Sequence, residues 1–338
     1  MATAVNDFIQ GMIMLIGIVA VILSVLNGNG GFTAAIEKMS QIPSEAAPAL
    51  KGAFVSFFGP QPLYLLGVVL LTSLGTWGLP QMVGKFYAIR DEAAIRKGTF
   101  ISTFFAIIVA GGCYFLGGFG RLYGSVIDFA PNGTPIYDSI VPSMLQTLPD
   151  LMIGVVIILV LSASMSTLSS LVLTSGSTLT LDIIKPAIAK GGKSMSEKSQ
   201  LLSIRLLVVF FIAVSSVLAI IQAKSSVTFI AQLMGISWGA LAGAFLGPFV
   251  YALYDRKTTK LAVWASFVAG VGITVLNMFF SFFSSPIVAG AAAMIVSLII
   301  VPIVSRITPQ LSDASKDAIF SCYTQTVVVS RKNSLEEE

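Results

Sequence analysis

The chain has 338 residues, of which 55% are apolar and 11% charged, with a formal net charge of +4 and a mean hydropathy of +0.90. A soluble domain carries about 25% charged residues, so this composition belongs to an integral membrane protein. Its basic residues are scattered over short loops and form no patch for nucleic acid.

There is no histidine, and the two cysteines, Cys113 and Cys322, stand far apart. That argues against a zinc site, a haem, an imidazole base or a disulfide framework. No nucleophile has an obvious base and no acidic pair lies inside an apolar segment, so an enzyme is not expected.

Hydropathy predicts an all-α polytopic membrane protein with about eight spans, near 8–27, 62–87, 99–120, 150–180, 201–222, 227–253, 260–282 and 286–304. The first is too long, and lacks the small-residue cleavage motif, for a cleaved signal peptide. Asp7 is the acidic residue at its start, in Asn6-Asp7-Phe8-Ile9-Gln10. Taken alone it reads as a helix cap, since Asn or Asp before an apolar run is a common start signal. Gly28-Asn29-Gly30-Gly31 and Pro43 then bracket an amphipathic stretch from Phe32 to Met39.

The second span contains Gly75-Thr76-Trp77-Gly78-Leu79-Pro80-Gln81. Two glycines and a proline within six residues break the helical hydrogen bonding. Such backbone is tolerated at membrane depth only where it is buried or lines a cavity. It reads equally as a kink or as the discontinuous helix of a secondary transporter.

The fourth span carries six hydroxyls in nine residues, Ser162-Ala163-Ser164-Met165-Ser166-Thr167-Leu168-Ser169-Ser170. At 3.6 residues per turn Ser162, Ser166 and Ser170 share a stripe, with Ala163 and Thr167 beside it and Ser169 nearby. Hydroxyls pack between membrane helices or bond back to their own carbonyls. A small hard cation, for its part, needs several oxygens close together. The stripe is interhelical glue or part of an ion site, and the scarcity of intramembrane acids favours sodium over a proton relay.

The sixth span has small residues at three- and four-residue spacing, from Gly235 to Gly247-Pro248. That spacing predicts close helix packing. A polar tail follows from Arg306, dividing the chain into a transmembrane domain, 1–305, and a tail, 306–338. With the N-terminus inside, 16 of the Lys and Arg residues are cytoplasmic and 4 external. The positive-inside rule therefore expects both termini in the cytoplasm.

Four motifs in order resemble the sodium:solute symporter family, which includes sodium/proline and sodium/pantothenate permeases. They are the Asn6–Gln10 segment (family pattern Thr-Asp-x-x-Gln), Gly78-Leu79-Pro80-Gln81 to Lys85-Phe86, the hydroxyl stripe through Leu181-Asp182, and Ser237-Trp238-Gly239 to Gly247-Pro248. The resemblance implies a partial leucine-transporter-type inverted-repeat fold. It also implies sodium-coupled symport of a small organic solute across the inner or plasma membrane, with Na+ as coupling ion and no cofactor.

On that resemblance Ala163 offers a carbonyl, and Ser166 and Thr167 their hydroxyls, to the conserved sodium. Asp7, Ser169 and Ser170 match an additional sodium site of some members, and Thr76, Trp77 and Gln81 approach the solute. About five family helices precede the matching region. The expectation is therefore a C-terminal portion, a truncated frame or a half completed by a separate chain, that does not transport alone. A non-transporting membrane scaffold or sensor is the competing reading.

Overall fold

The computed structural model describes residues 2–84, 86, 89, 91–126, 128–129, 135–146, 148–224 and 230–323. In chain order its α-helices are α1 (Ala2–Gly28), α2 (Phe32–Ser40), α3 (Pro62–Leu74), α4 (Pro80–Val83), α5 (Glu92–Gly118), α6 (Ile140–Gln146) and α7 (Asp150–Thr178). They continue with α8 (Lys185–Lys190), α9 (Glu197–Lys224), α10 (Ile230–Tyr254), α11 (Lys260–Phe280), α12 (Pro286–Ile307) and α13 (Asp313–Phe320). A two-residue antiparallel pair, β1 (Asp128–Phe129) with β2 (Pro135–Ile136), is the sheet among the described residues.

Among the described residues seven helices are long and apolar enough to span a bilayer, and a shorter apolar helix covers Pro62–Gly78. The expected eight segments are therefore seven full spans and one short one. The second does not continue to residue 87 as a single helix, because its helical hydrogen bonding ends at Leu74. The third begins at Glu92, earlier than residue 99, because Asp91 accepts a hydrogen bond from the Ala94 amide at 2.7 Å and so caps a new first turn.

The chain divides into two compact units, Met1–Leu65 with Gly84–Leu233, and Leu66–Val83 with Met234–Glu338. In the first, Ile18, Val21 and Val25 of α1 cluster with Leu116, Met144, Leu148 and Val156, flanked by Met152, Ile153 and Leu159 of α7. The C-terminal half of α1 thus packs on the N-terminal half of α7. A Cβ added to Gly17 would lie 2.6 Å from Leu159 Cδ1, which fixes one point of close approach.

The amphipathic α2 buries Ala35 and Met39 against Phe119. Past α7 a π-helical stretch, Leu179–Ile184, leads into α8. Thr180 is fully buried there, and its hydroxyl lies 3.2 Å from Ser203 Oγ on α9.

In the second unit the glycines of α10 admit α12 to van der Waals contact. A Cβ on Gly235 would meet the Ile287 amide nitrogen at 2.8 Å, one on Gly239 the Gly290 Cα at 2.5 Å, and one on Gly243 the Ala293 Cβ at 2.8 Å. Four-residue spacing puts all three on one stripe, so the expected packing role of this span is what the fold displays.

Pro248, inside α10, cannot donate to the carbonyl of Ala244 four residues earlier. The Ser266 hydroxyl of α11 donates to that carbonyl at 3.1 Å, Ser297 Oγ of α12 lies 2.8 Å from Ser266 Oγ, and the Gly247 amide donates to Ser297 Oγ at 2.9 Å. A chain of two hydroxyls thereby supplies the partner that the proline removes.

The described part of the tail packs on this unit. Arg256 pairs with Asp317 at 2.9 Å, and Tyr323 donates to the Leu253 carbonyl at 2.8 Å. Residues 324–338 of the expected tail lie outside the described residues.

Candidate cation and solute site

The hydroxyl stripe of α7 is graded in burial. Ser162 is 8% exposed. Ala163, Ser166 and Ser170 are half-buried, and Ser164, Thr167 and Ser169 are exposed. Val156, Ser162, Val172 and Gly176 are the buried positions of α7. The Ser169 hydroxyl donates to the Ser166 carbonyl at 3.1 Å, an i−3 bond that leaves its lone pairs available as acceptors.

The stripe therefore presents hydroxyl and carbonyl oxygens without a formal charge. That donor set suits a singly charged hard cation better than a transition metal, which prefers imidazole or thiolate. Ala163, Ser166 and Ser170 share one half-buried face, and Thr167 and Ser169 flank it on the exposed side. Asp7 lies within α1, the helix that packs on α7, but its side chain lies outside the described residues.

The broken segment forms as its glycines and proline predict. After α3, Gly75–Gly78 is a 3-10 turn, Leu79 is extended (φ −89°, ψ 115°), and α4 starts at Pro80. Gly75 and Gly78 are buried because the segment lies against its own unit. A Cβ on Gly75 would be 3.2 Å from both Met294 Cε and Trp238 Cε3, and one on Gly78 2.8 Å from Ala242 Cα.

Thr76 is half-buried and donates to the Ser73 carbonyl at 3.1 Å. Trp77 is 60% exposed and Gln81 half-buried. The expected solute-side residues thus belong to the second unit, and the expected cation-side residues to the first.

Two features of the first unit went unread in the sequence. One is the π-helical stretch with its Thr180–Ser203 contact, which has no composition signature. The other is the setting of Gln10, which is 5% exposed and whose Oε1 finds no hydrogen-bond partner among the described residues. Its signal was available: a polar side chain in register with the buried stripe Ile18, Val21 and Val25 of α1.

Seven apolar spans among the described residues, one of them with an oxygen-rich face, define a multi-pass helical membrane protein. The sequence profile of the sodium:solute symporter family matches residues 1–270, and the chain belongs to that family. It is 26% identical to the sodium/pantothenate symporter of Haemophilus influenzae, over 81% of this chain and 54% of that protein.

It is also 26% identical to the high-affinity proline transporter PutP of Bacillus subtilis, over 93% of this chain and 64% of that one. Identity to the sodium/proline symporter of Staphylococcus aureus is 27%, over 91% and 58%. The chain spans about half the length of the sodium/pantothenate symporter it matches.

Proposed function

We propose that this chain provides the sodium-binding helix and part of the solute path of a symporter in a plasma membrane. Sodium moving down its gradient would draw a small organic solute with it. The observation that carries this reading is the oxygen-rich face of α7, half-buried at Ala163, Ser166 and Ser170 in a member of a sodium-coupled family. The Ala163 carbonyl and the Ser166 and Thr167 hydroxyls take one sodium. Asp7, Ser169 and Ser170 take a second. Thr76, Trp77 and Gln81, at the break between α3 and α4, meet the solute, and both termini are cytoplasmic.

The pantothenate and proline specificities of these relatives support solutes of that class. Mechanistically, sodium and solute binding share a reciprocal coupling free energy, about 1–3 kcal/mol between sites. A 100 mV potential contributes roughly 2.3 kcal/mol more for each charge that crosses. In a leucine-transporter-type arrangement a broken helix serves the solute and a hydroxyl-bearing helix the ion.

The test is thermal denaturation of the purified chain in detergent or nanodiscs, titrated with NaCl at constant ionic strength in choline chloride. Sodium is expected to raise Tm, and Ser166→Ala combined with Thr167→Ala to abolish the rise. A sodium response untouched by the double substitution would refute the assignment to α7.

A further inference from the structure

Every charged side chain in the described part of the second unit lies at one end of it. Asp255, Arg256, Lys257 and Lys260 sit in and beside the turn between α10 and α11, Arg306 is in the last turn of α12, and Asp313, Lys316 and Asp317 belong to α13. The three acids are already engaged. Asp317 pairs with Arg256 at 2.9 Å, Asp313 with Lys316 at 3.0 Å, and Asp255 accepts the Lys257 amide at 2.9 Å. Lys257, Lys260 and Arg306 are exposed and make no ion pair among the described residues. Arg306 uses one donor on the Pro302 carbonyl at 3.2 Å and keeps the rest of its guanidinium free for a ligand.

These three cations are gathered at one seam. The Thr259 amide donates to Ser305 Oγ at 3.3 Å, and its hydroxyl lies 2.7 Å from Thr308 Oγ1. The start of α11 is thereby tied to the end of α12, and Lys260 and Arg306 each stand one residue from that tie. Thr258, next to it, has a buried hydroxyl without a hydrogen-bond partner among the described residues. That leaves a neutral donor at the same level as the charges.

One turn further into the spans the surface is apolar. Ala262, Ser266, Gly270, Thr274 and Asn277 form the buried stripe of α11, and the opposite face exposes Trp264 and Val268. On α12, Ile299 and Ile303 are exposed in the same way. Trp264 follows Lys260 by four residues, about 6 Å along the axis and about 40° around it. Tryptophan at that depth, beneath a basic residue, marks the bilayer interface.

We propose that this end of the second unit is a binding site for an anionic phospholipid. Lys257, Lys260 and Arg306 hold its phosphate, and its acyl chains lie along Trp264 and Ile303. The uncompensated positive charge selects an acidic headgroup. The exposed apolar faces that continue from it select a lipid over free phosphate, because long basic side chains at a helix end lay their stems on apolar surface while their charges reach the headgroups. The site is independent of the sodium reading of α7.

The experiment makes Trp264 the reporter. The chain has three tryptophans, so Trp77→Phe with Trp238→Phe leaves Trp264 alone on the face in question. This parent is reconstituted in mixtures of phosphatidylglycerol and phosphatidylcholine in which one lipid or the other is brominated, and quenching reads which lipid sits there. Phosphatidylglycerol is expected to be preferred about fivefold, the scale of one basic residue beside an anionic surface. Lys257→Gln, Lys260→Gln and Arg306→Gln together are expected to remove the preference.

Equal quenching by both lipids in the parent overturns the proposal, and so does a preference that survives the triple substitution. No quenching by either lipid means that protein covers the face, which overturns it as well. If the tryptophan variants do not fold, the otherwise native chain decides through Tm in nanodiscs. Adding phosphatidylglycerol to phosphatidylcholine is expected to raise Tm in the native chain and not in the triple variant. No rise, or a rise that inorganic phosphate reproduces in phosphatidylcholine alone, overturns the lipid site.

Discussion

At the residue scale the chain shows how a membrane interior treats polar groups. Ser266 and Ser297 are fully buried and neither is surplus, because together they satisfy the Ala244 carbonyl that Pro248 strands and the Gly247 amide. Substituting Ser266 by Ala leaves that carbonyl orphaned at a cost of about 1–3 kcal/mol. The expected outcome is a lower Tm for Ser266→Ala with sodium sensitivity unchanged, since Ser266 belongs to α11 of the second unit. Pro248→Ala in the same background restores the helical donor and recovers part of the loss.

Residue identity alone made the hydroxyl stripe of α7 and the glycine row of α10 visible, because helical spacing turns composition into faces. It could not grade the stripe. Ser162 is buried and Thr167 exposed because of how α7 is set among its neighbours, which it approaches closely at Leu159 against Gly17 of α1 and at Gly176 against Ile204 of α9. Gln10 was legible as the last position of the Asn6–Gln10 motif, but its burial and its missing partner among the described residues come from the packing of α1.

At the scale of elements, the break after α3 was legible because Gly75, Gly78 and Pro80 each remove part of a helix's hydrogen bonding or stiffness. Its consequence for length was not. The α-helical part ends at Leu74 and a 3-10 turn carries the segment on to Gly78, so it is shorter than the seven full spans among the described residues. The π-helical stretch at Leu179–Ile184, which runs up to Pro186 at the start of α8 and includes the Thr180–Ser203 contact, went unread.

Close packing carries the α10–α12 pair, because lipid removes the hydrophobic drive between spanning helices. Gly239→Leu is therefore expected to be disabling. A Cβ there would stand 2.5 Å from the Gly290 Cα, a backbone atom that cannot swing aside. Size-exclusion chromatography after detergent extraction should show aggregated or degraded Gly239→Leu, against a monodisperse Gly272→Leu control, where an added Cβ meets nothing within 4 Å.

At the scale of the whole molecule, the sequence made class and family legible, because both follow from repeated apolar blocks and from motifs in fixed order. The family profile covers residues 1–270, and the curated relatives are sodium/pantothenate and sodium/proline symporters. The proposed sodium site rests on the face of neutral oxygens that α7 carries in a member of this family. Sodium at ten times its dissociation constant would stabilise the folded chain by about 1.4 kcal/mol through mass action.

The most direct measurement is equilibrium binding of radioactive sodium to the purified chain in nanodiscs, read by scintillation proximity. The account predicts saturable binding that unlabelled sodium displaces, potassium does not, and Ser166→Ala with Thr167→Ala removes. Binding that survives the double substitution at full stoichiometry would contradict it.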